Sequence, residues 1–303
     1  MKVFITGATG YIGLAVGQAF ARAGYEVYGL CRSEAKARLL AREEIQPVQG
    51  DLNRPETWAE AAAQATLLIH CAADLQAGMV GPDKAAIEAL VALGPRGARP
   101  KTLIYTSGVW VYGATGDVPA DESTPLSPIT VVAWRPDHEH MVLSAGTVRG
   151  IVLRPGCVYG RAGGPAGAWF EGAYRAKDLS VVGDGRNRWA MVHVDDLAEA
   201  YLRIAQSGLS GEVFNVTDRS RHTVGEMAAA AAKAAGYRQP IRYVPLEEAL
   251  KKMGPFAEAL ALDQHVSSWK LARRLGWQPQ HGGFVDGVRT FFEAWKAAQG
   301  LGS

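Results

Sequence analysis

The chain predicts an α/β fold: a doubly wound parallel sheet with a smaller, mostly helical part after it. Three observations predict it. Short apolar runs recur through the first half, with helix-patterned stretches between them. The first run passes straight into a glycine-rich turn and then a helix. Beyond about residue 156 the alternation loosens and helical patterning dominates.

Taken in order, Val3-Phe4-Ile5 is the first strand. Residues 12 to 23 form a helix, because Ile12, Val16, Ala19, Phe20 and Ala23 share one stripe; Gly24 stops it. Residues 26 to 30 make a second strand and 34 to 42 a polar helix. Pro47-Val48-Gln49 is a third strand, followed by a helix over 55 to 64. Residues 66 to 70 and 102 to 106 are apolar strands. A helix over 136 to 143 precedes a strand over 151 to 154. Strands spaced by helices in this way build βαβ units, whose strands lie parallel. In the second half, Ser180-Val181-Val182 and Ala190-Met191-Val192 flank Gly183-Asp184-Gly185, which predicts a hairpin or tight connection. Asp195-Asp196 opens a helix that runs to Ile204, since carboxylates suit a helix N-terminus. About the last hundred residues are read as mostly helical.

Composition narrows the function classes. The 303 residues carry 32 Lys and Arg against 30 Asp and Glu, a net charge of +2. Attraction to nucleic acid or to a membrane surface through net charge is therefore not expected. A chain of this length buries enough apolar surface to fold without a disulfide or structural metal. The three cysteines, Cys31, Cys71 and Cys157, are odd in number and lack zinc-ligand spacing. A reducing, cytoplasmic setting is expected. Glycines follow the first strand at once, which leaves no room for a secretory leader.

The turn after the first strand reads Thr6-Gly7-Ala8-Thr9-Gly10-Tyr11-Ile12-Gly13. Gly7 allows a sharp turn off the strand. Gly10 lets backbone N–H groups approach a pyrophosphate. Gly13 lets the helix pack close to the sheet, with its N-terminus toward the negative charge. This is a dinucleotide loop in the required strand-turn-helix context. Residues 1–155 are thus read as the dinucleotide-binding domain. Residues 156–303 are read as a smaller substrate-side domain, with some segments returning to the first.

Further segments follow in order: Gly50-Asp51-Leu52, His70-Cys71-Ala72-Ala73, Thr106 to Gly113, Leu153 to Gly160, and His193 to Ala198. With the Gly-x-x-Gly-x-x-Gly loop, they make the chain resemble the short-chain dehydrogenase/reductase superfamily, in its extended, epimerase/dehydratase-like branch. The resemblance spans nearly the whole chain and implies a Rossmann sheet holding NAD(P). It places Gly7, Thr9, Gly10, Tyr11, Ile12 and Gly13 along the pyrophosphate, and Asp51 and Leu52 at the adenine. It adds Cys71, Ala72, Ala73, Pro155 and Val158 to the cofactor's lining. Asp51 also reads as a plain helix N-cap before Pro55.

The second strand decides which cofactor is expected. An acid at its end marks NAD, whereas a cation pairs with the 2′-phosphate of NADP. Here Arg32 and Ser33 end the strand, Lys36 lies a turn on, and no acid is present. NADP(H) is therefore expected over NAD(H), with stacking of Arg32 on adenine the alternative.

The family's catalytic pair is missing. The resemblance implies a Tyr-x-x-x-Lys pair with a serine, but no tyrosine here has lysine four residues on. Aligning Glu139 with the usual helix glutamate puts Val131 and Arg135 at those positions, and Gly108 at the serine position, beside Ser107. Arg135 is expected to hold a ribose or a phosphate, with a solvent-facing side chain the alternative, since a guanidinium does not serve as a base. Pro136 suggests a helix that starts late, with 131 to 134 as loop. Ser107, Tyr112 and an ordered water remain as candidate proton donors, although Tyr112 and Tyr159 more often serve packing in such Val-Tyr-Gly turns. His138-Glu139-His140 reads as a solvated or cap-region cluster, and no metal site is expected. Arg161, Arg186 and Arg188 are candidates for a sugar-nucleotide diphosphate, and Trp134, Trp169 and Trp189 for an apolar wall.

Three functions follow. The first is an atypical NADP(H)-dependent oxidoreductase acting on a small organic substrate. The second is a non-catalytic NADP(H) sensor or scaffold. The third is a sugar-nucleotide epimerase or dehydratase with substituted residues. The resemblance also implies a homodimer, paired through helices near 83 to 93 and 136 to 143.

Overall fold

A computed structural model describes residues 1–73, 78–94 and 100–301. From the N-terminus, β1 (Lys2–Thr6) leads into α1 (Tyr11–Arg22) and β2 (Glu26–Cys31). α2 (Glu34–Arg42), β3 (Gln46–Gln49), α3 (Ala59–Ala63) and β4 (Leu67–His70) follow. Next come α4 (Val80–Ala92), β5 (Thr102–Thr106), α5 (Arg135–Leu143) and β6 (Arg149–Pro155). The second half begins with β7 (Cys157–Tyr159), α6 (Gly167–Phe170), β8 (Ser180–Val182) and β9 (Met191–His193). It continues through α7 (Val194–Gln206), β10 (Glu212–Val216), α8 (Val224–Ala234) and β11 (Arg242–Val244). The helices α9 (Leu246–Met253), α10 (Phe256–Ala261), α11 (Trp269–Leu275) and α12 (Phe284–Ala298) complete the chain.

Seven strands form one parallel sheet in the order β10-β6-β5-β4-β1-β2-β3. Parallel sheets are covered on both faces, so their strands read as continuous apolar runs. Alternate side chains then go to opposite layers. Val3 and Ile5 join Val16 and Phe20 of α1 and Leu197, Tyr201 and Ile204 of α7. Phe4 goes the other way, to Trp58, Leu68, Ile87 and Leu90. A separate aromatic core, including Trp169, Phe170, Trp189, Phe284 and Trp295, organises the second half. No described helix is long and apolar enough to cross a membrane.

Several expectations are corrected. The predicted hairpin does not form. β8 pairs in parallel with β11, and β9 with β7. The connection instead swings toward the C-terminal helices. There the Asn187 amide donates 3.1 Å bonds to the Leu260 and Leu262 carbonyls. One segment beyond 156 returns to the main sheet, a return the sequence reading allows: β10 pairs with β6 from Glu212↔Ile151 to Val216↔Pro155. The single helix over 55 to 64 is a 3-10 turn, Pro55–Thr57, followed by α3. α5 already includes Arg135, entered through a 3-10 turn at Thr130–Val132 and a helical Trp134. Pro136 is tolerated because the first turn needs no N–H donor.

The supposedly solvated cluster on α5 is largely interior. His138 and Glu139 are buried, and only His140 faces out. Arg154 of β6 donates from Nε to both Glu139 carboxylate oxygens, at 3.0 and 3.2 Å, and its Nη2 adds a third contact. A buried pair of this kind is costly to break from one side, because the surviving charge stays desolvated. Arg154→Met alone should therefore lower stability by about 3–5 kcal/mol, whereas Arg154→Met with Glu139→Leu should recover most of that loss. Urea unfolding of both variants checks this; equal destabilisation by the single and double changes would contradict it.

Candidate active site

The site begins at the carboxyl end of β1. Gly7 turns with φ +70°, and a Cβ there would lie 2.5 Å from the Ala72 nitrogen. At Gly13 a Cβ would lie 2.2 Å from the Gly7 carbonyl oxygen. These contacts let the loop, α1 and the segment after β4 close together, as only glycine permits. The first turn of α1 has no acidic residue and no side-chain cap, so its N–H groups are left for an anion. Thr9, Tyr11 and Ile12 stand along this turn, all half-buried.

At the end of β2, Cys31 is buried while Arg32, Ser33 and Lys36 are exposed. Arg32 makes no ion pair among the described residues. The Ser33 hydroxyl caps α2, accepting from the Lys36 N–H at 3.4 Å. Asp51 is no helix cap. Its carboxylate accepts 2.9 and 3.1 Å bonds from the backbone and side chain of Asn53. Leu52 is half-buried beside it.

The loop leads into a cleft of about 360 Å³. Tyr11, Ile12, Cys71, Ala73, Pro155 and Val158 line the end nearest the dinucleotide loop; Ala72 backs Gly7. Ser107, Gly108, Val109, Trp110, Val132 and Arg135 line the end that the strands leave open, with Pro165 and Phe256 from the second half. Trp110 and Phe256 meet edge to face, with ring centroids 6.0 Å apart.

The polar groups of this cleft are nearly all spent. The Tyr11 hydroxyl donates to the Gly160 carbonyl at 2.8 Å, and burial pushes its pKa far above the usual tyrosine range. Burial also pushes the thiols of Cys71 and Cys157 up to about 11 and about 12. Arg135 is buried; its Nη1 donates to the Thr106 carbonyl at 2.7 Å and its guanidinium lies 4.8 Å from the Trp134 ring centroid. The Ser107 hydroxyl is the exception. It is buried on the cleft wall, has no hydrogen-bond partner, and is held by its own N–H donating to the Leu153 carbonyl at 2.7 Å.

The structure does not bring Tyr112 to Ser107's side as a second donor. The Tyr112 hydroxyl donates to Asn215 at 2.9 Å and accepts from Arg154 at 2.7 Å, within the protein interior. Tyr159 packs edge-on against His193, Phe284 and Phe291, away from the cleft. The basic candidates are likewise elsewhere. Arg161 pairs with Asp195, Arg188 with Asp263, and Arg186 is exposed. Trp169 and Trp189 stack on each other in the second core, with centroids 5.1 Å apart. Sequence reasoning missed Phe256 and Val132 as lining residues. It also missed a buried network: Asp83 accepts from Tyr105 at 3.0 Å and lies 2.6 and 3.1 Å from ring nitrogens of His138 and His70.

One further cluster resembles a ligand set. Nitrogen and carboxylate atoms of His193, Asp195 and His281 lie within 4.8 Å of one another. Its geometry favours packing. The two imidazoles stack face to face at 3.5 Å, and His193 Nδ1 accepts the Asp195 N–H that opens α7.

The glycine loop and sheet order define a dinucleotide-binding protein of the Rossmann type. The pattern of the NAD dependent epimerase/dehydratase family matches residues 3–217, and the chain belongs to that family. An uncharacterized protein of Schizosaccharomyces pombe, C2A9.02, is 29% identical over 288 residues, covering 93% of this chain and 96% of that protein. The 4-hydroxy-2-methyl-3-oxo-4-farnesyl-3,4-dihydroquinoline-1-oxide ketoreductase of Stigmatella aurantiaca is 27% identical over 260 residues, covering 82% of this chain and 78% of that protein. The fold matches dTDP-glucose 4,6-dehydratase from Bacillus anthracis with a TM-score of 0.82 at 18% identity, over 99% of this chain and 98% of that one.

Burial, then neighbouring His281, lowers the His193 pKa to about 4. The unfolded chain accepts this proton near pH ~6.5, while the folded chain refuses it until about pH 4. His193 should therefore cost the protein about 2 kcal/mol of stability between pH 7 and pH 5. Urea midpoints of wild type and His193→Gln at both values measure it; the same pH dependence in both would contradict it.

Proposed function

We propose that the chain is an NADP(H)-dependent oxidoreductase of the atypical extended type, passing hydride to or from a small organic substrate. One observation carries this reading. The dinucleotide loop opens into an apolar cleft whose single unspent side-chain hydroxyl among the described residues is Ser107. The protein's contribution is to bind the nicotinamide, exclude water and orient the substrate oxygen. Arg135 stands in place of the family lysine, with its Nη1 bonded to the Thr106 carbonyl at the cleft wall. The Stigmatella relative, named as a ketoreductase, supports reductive chemistry. The sugar-nucleotide alternative loses support because Arg161 and Arg188 are paired with carboxylates of their own. The sensor reading draws on the missing Tyr-Lys pair and the engaged tyrosines.

The preference for NADP(H) rests on Arg32 and Lys36, exposed beside a strand end without an acid. NADPH should bind more tightly than NADH, and Arg32→Ala should remove about 1.5–3 kcal/mol of that advantage. Calorimetry with both cofactors tests this; equal affinities in the wild type would refute it.

A cytoplasmic homodimer completes the proposal. α4 and α5 lie side by side and carry apolar residues such as Val80 and Met141. Light scattering at micromolar concentration should give twice the 32.4 kDa chain mass; a monomer would refute it.

A further inference from the structure

The cleft's chemistry restricts what it reduces. Its substrate end is walled by Val109, Trp110, Val132, Pro165 and Phe256. Among the described residues no carboxylate lines it, and the one guanidinium there is turned toward the Thr106 carbonyl. A charged substrate would lose its hydration there without a partner. A flat, uncharged ring instead fits against the edge-to-face pair of Trp110 and Phe256.

Proton supply is the second restriction. Hydride addition to an isolated ketone creates an alkoxide, a strong base that needs an acid at hand. The described lining residues offer none. Tyr11 already donates to Gly160, both thiols hold their protons tightly, and Ser107 is only an alcohol. Hydride addition to a quinone is different. The charge spreads over the ring as a phenolate, whose conjugate acid titrates near ~10, so water protonates it readily.

We infer that the cleft takes a quinone-like acceptor, with Ser107 donating a hydrogen bond to the oxygen that becomes anionic. The inference rests on the hydride-transfer reading above. The dihydronicotinamide C4–H bond breaks and its electron pair moves with the hydrogen to the quinone. A new bond to hydrogen forms, the quinone is reduced by two electrons, and the cofactor leaves as its oxidised form. The resulting hydroquinone monoanion takes its proton from water.

The test uses the full chain. Calorimetry first establishes NADPH binding; no binding would overturn the hydride-transfer reading and this inference with it. Initial rates then follow NADPH absorbance with menadione, acetophenone and UDP-glucose, subtracting the reaction without protein. Menadione should exceed acetophenone by roughly 100-fold or more in kcat/KM, the scale on which a missing acid penalises ketone reduction. With the oxidised cofactor in place of NADPH, UDP-glucose should give no rise in NADPH absorbance; such a rise would overturn the quinone assignment. Trp110→Ala should raise KM for menadione about fivefold while leaving NADPH affinity unchanged. Ser107→Ala should lower kcat/KM by less than about tenfold, the effect of one neutral hydrogen bond. With NADPH bound, acetophenone turnover equal to that of menadione, or no menadione turnover, would overturn the quinone assignment and leave the hydride reading standing.

Discussion

The guanidinium of Arg154 holds together the segments that wall the cleft. It sits on β6, buried, with Glu139 of α5 on one side and the Tyr112 hydroxyl on the other. Tyr112 passes the contact on to Asn215 of β10. The Asn215 side-chain amide in turn donates to the Ser267 carbonyl, and its backbone N–H donates to Glu122 at 2.8 Å. Six residues, from Tyr112 to Ser267, are thus joined in one network that starts from this charge. Such a network adds less net stability than its bonds suggest, because both ions are desolvated. Its effect is geometric: it sets where α5 and the turn after β5 stand relative to β6. Ser107 inherits its place from this, since it bonds Leu153, the neighbour of Arg154.

A second buried charge supports the cofactor side. Asp83 of α4 draws His70 of β4, Tyr105 of β5 and His138 of α5 to one carboxylate. Burial pushes that carboxyl up, but the hydrogen bonds from His138 and His70, with the Arg135 charge, hold it below the usual carboxylate range. His70 also meets the Thr6 side chain, one residue before the glycine turn. Arg135 therefore has structural work beside any cofactor contact. Its charge helps keep Asp83 ionised, and its Nη1 ties α5 to the end of β5. Arg135 is here part of a buried charge balance.

The sheet was legible because its strands are buried on both faces, so Val3-Phe4-Ile5 and residues 102 to 106 stand out as apolar runs between helices. The glycine loop was legible because close backbone approach leaves no room for a Cβ. What escaped was long-range. β8 and β9 find partners 62 and 34 residues away, at Arg242 and Cys157, which local turn signals cannot reveal. His138 and Glu139 look solvated by composition; only Asp83 and Arg154, brought in by folding, make their burial affordable. Tyr112 looked free for the same reason, its two partners lying 42 and 103 residues away.

These partners separate the residues that hold the site from those able to react in it. A side chain that acts on a substrate must keep hydrogen-bonding capacity that the folded chain does not use. Tyr11, Tyr112, Arg154, Glu139 and Asp83 have all directed theirs inward. Ser107 has not. Its cost of burial without a partner is roughly 1–3 kcal/mol, which a substrate oxygen at that point would relieve. The scaffold around the cleft is thus closely tied, and among the described lining residues one alcohol keeps its hydrogen-bonding capacity. Under the proposed hydride transfer, a site so arranged would act by placement and dehydration, with proton transfer left to water and to the substrate's own acidity.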